Sequence, residues 1–198
     1  MKKSLSERDI CTKYITPALQ QAGWDSLRQI REEVTFTAGR VIVRGKLHAR
    51  GRKKRADYIL FHKPNIPVAL IEAKDNTHPV GAGMQQALAY AEVLDIPFVY
   101  SSNGDAFLEH DLTTSGGMRE QELPLDGFPS PESLWRRYCR SKGITPEQEP
   151  VVTQDYYVEP GWKTPRYYQL SAVNKTIEAI ARGQDRILLV MATGTGKT

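Results

Sequence analysis

Apolar residues recur at helical spacing near the start of the chain, at Ile10, Tyr14, Ala18 and Leu19, and Gly23 closes the run. Ser4 or Ser6 is placed to cap this helix, with Glu7 in its first turn, where negative charge suits the helix dipole. The pattern then changes to strand-like segments. Residues 30–37 form a first strand, Gly39 a turn, and the run from Val41 a second strand of the same hairpin. Residues 56–61 (ADYILF) and 68–74 (VALIEAK) read as two more strands, separated by a turn containing Pro64, Asn65 and Pro67. After a loop at 79–83, Met84 to Leu94 has the period of a helix packed through Ala87, Ala91 and Leu94. A strand from Ile96 and the segment DAFLEHD form a hairpin around Asn103-Gly104, and a helix follows around Ser133 to Cys139. Prolines 146, 150, 160 and 165 mark an irregular joint with few aliphatic residues. Beyond it the pattern predicts a helix from Tyr167 to Ala181 and a strand from Arg186 to Met191, and no segment repeats another.

These elements imply an α/β fold, a mixed sheet flanked by helices. A length of 198 residues suits one domain, or one domain and part of a second. A hydrophobic content of 40% is too high for a disordered chain. The net charge of +4 does not by itself establish a nucleic-acid partner, but its distribution is uneven. From His48 to Arg55 the chain reads HARGRKKR. Cys11 and Cys139 have no metal-ligand spacing and are expected to be reduced thiols in a cytoplasmic protein. The N-terminus lacks the apolar core of a signal peptide, and no apolar run reaches the ~18 residues of a membrane span.

The candidate chemistry lies on the two central strands. Side chains alternate along a strand, so Glu72 and Lys74 share a face. If the two strands pair as a hairpin, Asp57 comes to lie beside Glu72. Two carboxylates there can bind a hard divalent cation, Mg2+ for choice, which polarises a phosphodiester and activates water. Lys74 can hold that water or stabilise developing negative charge. The plainer alternative, polar residues at a strand end, is disfavoured because the strand is apolar up to Glu72, where an unpaired charge is costly. Gln86 and Tyr90, four apart on the next helix, share a face that can pack beside Lys74; Gln86 could contact the water or a phosphate, and Tyr90 could position Lys74 or the cleaved strand. Gln85 competes less well for the first role, and a polar helix rim is the alternative for both. Arg50, Arg52, Lys53, Lys54 and Arg55 lead into the strand bearing Asp57, where they would meet the phosphates of double-stranded DNA or stand as a solvated loop. His62 and His78 are read as structural or surface residues.

The chain ends in MATGTGKT after an apolar run, RILLV. Gly194, Gly196, Lys197 and Thr198 follow phosphate-loop logic: backbone N–H groups cradle phosphates, Lys197 reaches the β- and γ-phosphates, and Thr198 ligates Mg2+. Met191 stands where the strict motif has its first glycine, as in many superfamily 2 helicases. PRYYQLSAV, from Pro165, resembles the Q motif of that superfamily, which implies Gln169, supported by Arg166, as the reader of adenine in ATP. With no further motor motif present, the chain is expected to be a piece of a longer subunit, unable to hydrolyse ATP alone.

RADYILF, VALIEAK and QQALAYAE together resemble the nuclease domain of the R (restriction) subunit of type I restriction–modification enzymes, as does the opening SERDICTKYITPALQQAGW. That family carries a PD-(D/E)xK core followed by a QxxxY helix, matched here by Asp57, Glu72, Lys74, Gln86 and Tyr90; Ala56 replaces the proline. The resemblance implies Glu7 as a further acid near the metal. It implies an endonuclease domain over 1–150, a linker over 151–164 and the beginning of a RecA-like motor over 165–198. It also implies a whole subunit that pumps DNA with ATP and cuts it when movement stalls, in complex with modification (M) and specificity (S) subunits that choose the sequence. The alternatives are a nuclease–helicase of DNA repair or another defence system, and a non-catalytic DNA-docking module.

Overall fold

The computed structural model describes residues 4–37, 41–44, 47–50, 53–114, 116, 119–156, 161 and 165–191, with backbone only over 41–44 and 47–50. The first helix starts as expected. Ser6 is its N-cap, its hydroxyl accepting from the Asp9 N–H while the Asp9 carboxylate accepts from the Ser6 N–H. The rod is not uniform: Glu7–Ile10 (α1) passes through a π-helical segment, Cys11–Ile15, into Thr16–Gln21 (α2). The wide turn falls just before Pro17, which has no N–H to give and whose ring would crowd the carbonyl one turn back. Gly23, at φ 94°, ends the helix in a left-handed turn with Trp24 N–H bonded back to the Leu19 carbonyl.

Six strands form one mixed sheet: β1 (Ile30–Thr37), β4 (Lys53–Lys63), β5 (Ile66–Ala73), β6 (Phe98–Ser102), β7 (Ala106–Asp111) and β8 (Glu120–Pro124), adjacent in that order. Only β5 and β6 are parallel; the helix α3 (Met84–Leu94) makes the crossover between them. The expected pairing of β1 with the strand from Val41 does not occur. β2 (Val41–Arg44) pairs with β3 (Leu47–Arg50) in a separate ribbon, and β1 pairs with β4 from Ile30↔Leu60 to Thr37↔Lys53. β4, at 11 residues, is long enough to satisfy the whole hydrogen-bonding edge of β1, which leaves β2 to its near neighbour in sequence. The Asn103-Gly104 hairpin joins β6 to β7 as expected, with Gly104 at φ 84° and a Cβ there only 2.9 Å from Ile10.

Helices cover both faces. On one, the N-terminal rod with its π-helical segment and α4 (Pro131–Lys142) pack Ile15, Leu19, Leu134 and Trp135 against Tyr58, Ile71 and Phe98. On the other, α3 packs Met84, Ala87 and Ala91 against Ile59, Leu70 and Val99. The alternation of faces changes phase at one point. Ala56 and Phe36 belong with the α3 face, yet Tyr58 and Ile30, an even number of residues away, belong with the other. Between them lie Asp57 and Glu33, which the register sets opposite one another, and Glu33 is at φ 51°.

Buried polar bonds tie α4 to the sheet. The Arg137 guanidinium donates to both oxygens of Glu109, at 2.6 and 3.1 Å, and to Asp111 at 2.7 Å, while Tyr100 donates to Glu109 at 2.6 Å. The proline-marked joint is partly built: Glu149–Val152 (α5) makes one turn, Val152 is buried and Trp135 donates to Glu149 at 2.6 Å. Helix α6 (Tyr167–Ala181) lies on the same body, with Tyr138 donating to buried Glu178, Asn174 to the Asn65 carbonyl and Lys175 paired with Asp95. The strand expected at 186–191 is absent. Ile187 to Val190 run without regular structure and largely exposed, because a strand needs a neighbour for its backbone bonds and none is described beside them.

Candidate active site

β4 and β5 pair antiparallel as expected, and continuing their register (Tyr58↔Ile71) sets Asp57 opposite Glu72. Asp57 Oδ2 accepts from the Ala73 N–H at 2.8 Å, which fixes its carboxylate against the end of β5. Lys74 is one residue past the strand; its N–H is held by the Ser102 carbonyl at 2.8 Å, so the β5–β6 pairing fixes its position. Its ammonium donates to Glu7 at 3.2 Å.

Glu72 is only 1% exposed. Gln86 Nε2 donates to Glu72 Oε2 at 2.6 Å, and Glu72 Oε1 is buried with no hydrogen-bond partner. Burial first, and then the negative charge of Asp57, push the Glu72 carboxyl up to about 8. Asp57 is also raised, by burial first; the bond from Ala73 opposes this, the charge of Glu7 adds to it, and Lys74 and Arg55 counter it. A carboxylate pair in so little water is costly to ionise unless a cation joins it. The orphaned oxygen of Glu72 fits such a cation: it is a hard donor, buried, and unused by the protein.

The approach of α3 depends on a glycine. A Cβ on Gly83 would lie 2.9 Å from Ser101 Oγ and 3.1 Å from Glu72 Cβ, and the Gly83 N–H donates to that hydroxyl at 3.0 Å. The hydrogen bond holds the start of α3 on β6, and the close approach to Glu72 sets it against β5, which brings Gln86 to Glu72. Tyr90 hydrogen-bonds with Gln86 and lies within the influence of the Glu72, Asp57 and Lys74 charges. Its ring meets Phe36 edge-on at 5.2 Å and carries the Lys54 ammonium 5.2 Å from its centroid. Phe36 and Lys54 are direct cross-strand partners, so Tyr90 closes on both. Gln85 is exposed.

Glu7 is brought to Lys74 rather than into a three-acid set. Among the described residues no group of three His, Cys, Asp or Glu side chains is arranged to hold a metal ion. Glu7 nevertheless lies near the candidate cation site: its carboxylate accepts from the Lys74 ammonium, and its charge acts on Asp57. A cleft of about 620 Å3 opens beside Asp57, lined in part by Glu7, Arg8, Glu33 and Arg55. Of the basic run, Lys53 and Lys54 begin β4, Arg55 reaches Glu33 at 3.6 Å, Arg50 ends β3 with its side chain outside the described residues, and Arg52 lies outside them altogether. Gln169 caps α6, its side-chain oxygen accepting from the Arg166 N–H at 2.8 Å; Gly194, Gly196, Lys197 and Thr198 lie outside the described residues. His62 stacks on Trp135 with ring centroids 4.0 Å apart, and exposed His78 pairs with Asp75 at 2.9 Å. Cys11 and Cys139 are free thiols. Sequence reasoning missed Gly83, Ser101, Arg8 and Glu33. The glycine before a helix was the only visible hint of Gly83, and nothing in the sequence marks Glu33 as left-handed.

Residues 4–116 match the family described as the type I restriction enzyme R protein N terminus, and residues 163–198 match that of the type III restriction enzyme, res subunit. The chain is 56% identical over 196 residues to the type I restriction enzyme EcoAI endonuclease subunit of Escherichia coli, covering 98% of this chain and 24% of that one. It is 29% identical over 195 residues to the EcoKI endonuclease subunit of E. coli K12, covering 75% of this chain and 16% of that one. A solved fragment described as an HsdR subunit of a type I restriction enzyme from Vibrio vulnificus YJ016 superposes with a TM-score of 0.83 at 43% identity, over 100% of this chain and 36% of that one. The chain thus spans about a quarter or less of the length of these two curated relatives. Among the described residues no helix is long and apolar enough to cross a membrane.

Proposed function

The chain belongs to the family of type I restriction enzyme R proteins, and from that premise we propose that its sheet carries a PD-(D/E)xK endonuclease site that cleaves the DNA backbone. Asp57 and Glu72 would hold Mg2+, together with a backbone carbonyl, water and the scissile phosphate. When bound, that cation supplies Lewis-acid polarisation of the phosphate and a water of lowered pKa. The residues of the chain have distinct tasks around it. Glu72, whose carboxyl is pushed up to about 8, would bind the cation in its ionised form, its proton passing to solvent. Gln86 fixes Glu72 Oε2 and so aims Oε1. Lys74 stabilises negative charge developing on the phosphate oxygens, and Glu7 orients its ammonium. Tyr90 keeps the Lys54 side chain at the edge of the site, and Lys53 and Arg55, with Arg50 and Arg52, meet phosphates of double-stranded DNA.

The observation that carries this reading is the buried, unpartnered oxygen of Glu72 at the end of β5, with Asp57 opposite and Lys74 just beyond. In the whole subunit, the region after Pro165 would open an ATP-driven motor, with Gln169 at the adenine and Gly194, Gly196, Lys197 and Thr198 at the phosphates. The subunit would work in the cytoplasm with modification and specificity subunits. The test is Mg2+-dependent nicking of supercoiled plasmid by the wild type beside Asp57→Ala and Lys74→Ala. Cleavage lost in both variants is the expected result; variants that still cut overturn the assignment. If the chain alone does not cut, the same comparison is made in the full-length subunit with its partner subunits and ATP.

A further inference from the structure

Glu33 is in a left-handed conformation inside a strand. Among the described residues one other non-glycine has positive φ, Asp95, and it ends α3, where such a turn is ordinary. Glu33 has no such position to account for it. It lies opposite Asp57 in the β1–β4 register, and its carboxylate sits between two guanidiniums. Arg8 on α1 donates to Glu33 Oε1 at 3.1 Å, and Arg55 on β4 is 3.6 Å from Oε2. All three side chains are more than half exposed. Ion pairs in such water are weak and screened, whereas a non-glycine side chain held at such φ is strained.

Arg8, Glu33, Arg55 and Asp57 all line the same cleft. A carboxylate between two guanidiniums occupies the place that a phosphate would take, since both anions offer paired oxygens to the planar donor fork. We propose that Arg8 and Arg55 form a binding site for a backbone phosphate of the DNA strand entering the cleft, and that Glu33 fills it as a built-in anion when DNA is absent. A phosphate displaces Glu33 easily, because only exposed pairs must break and the strained backbone is then free to relax. Arg8 thereby joins the DNA-contacting surface from a different element than the basic run. The inference rests on the reading of DNA as substrate, but not on cleavage.

The test is fluorescence anisotropy with a short duplex in EDTA, where no cleavage occurs. Glu33→Gln removes the competing charge and is expected to tighten Kd about threefold to tenfold at low salt. Arg8→Ala and Arg55→Ala each weaken binding and lower the slope of log K against log salt by about 1. In the double arginine variant the gain from Glu33→Gln disappears. Glu33→Gly, which takes the left-handed backbone freely, serves as a second variant should the glutamine fold poorly, and it is expected to tighten binding too. Unchanged or weaker binding in both Glu33 variants overturns the proposal, as does a gain that persists without the arginines. Loss of cleavage chemistry in the plasmid assay would leave these Kd values unaffected, so the two readings fail separately.

Discussion

Gln86 donates to Glu72 Oε2 at 2.6 Å and leaves Oε1 of the same carboxyl buried without a partner. One oxygen is fixed by α3, and the carboxyl as a whole feels the negative charge of Asp57. The protein thus keeps a raised acid at the end of its central strand, a condition unfavourable for stability alone and suited to a cation.

Stability without metal should fall as pH rises. The folded Glu72 carboxyl titrates at about 8, against the ordinary 4.5 when unfolded. Between those values the folded state holds a proton that the unfolded chain has released, so stability is complete below about 4.5 and is lost as pH climbs towards 8. Urea unfolding in EDTA at pH 5.5 and 8 should show this loss in the wild type and a smaller one in Glu72→Gln. Equal pH dependence in the two would contradict the placement of Glu72 as a buried acid.

His62 gives the opposite slope. Burial holds its imidazole down to about 4, so the folded ring excludes a proton that the unfolded ring takes up below about 6.5. Stability from this group is present above 6.5 and is lost as pH falls towards 4. His62→Phe keeps the stack on Trp135 and should flatten the acid side of the stability curve. A curve with the wild-type acid slope would count against it.

Arg137 is the cation for two buried acids, Glu109 and Asp111. Arg137→Met leaves Glu109, 1% exposed, without its charge partner and should cost about 3–5 kcal/mol in denaturant unfolding. Arg137→Met combined with Glu109→Gln should recover part of this, and no recovery would mean that packing rather than charge is at stake.

Phe36 stands between Tyr90 on α3 and Tyr167 on α6, with ring centroids at 5.2 and 6.3 Å. A double-mutant cycle of Phe36→Leu and Tyr90→Leu should return a coupling of about 0.5–1.5 kcal/mol in thermal unfolding. Additive effects would show the contact to be incidental.

Much of this arrangement was legible in the sequence. The apolar run before Glu72 and the spacing of Glu72 and Lys74 marked a buried strand with a charged end, and the Ala-rich period of α3 set Gln86 on the face that meets it. The pairing of β1 was not legible, because the residues of β2 have as good a strand pattern as those of β4 and only the long edge of β4 decides between them. The change of faces at Glu33 and Asp57 was hidden as well: period-two reading assumes an unbroken pleat, and a left-handed residue resets it. The segment from Arg186 has a strand's composition, but strand structure depends on a neighbouring strand, which its own residues cannot encode.

The most direct measurement is binding of Mn2+, as a spectroscopic stand-in for Mg2+, followed by electron paramagnetic resonance at pH 8 in the wild type, Asp57→Asn and Glu72→Gln. The expected result is saturable binding in the wild type that weakens as pH is lowered, because Glu72 must release its proton, and that falls by more than about tenfold in each variant. Binding of equal strength in all three proteins, or none in a folded wild type, would contradict the claim that these two carboxylates hold the cation.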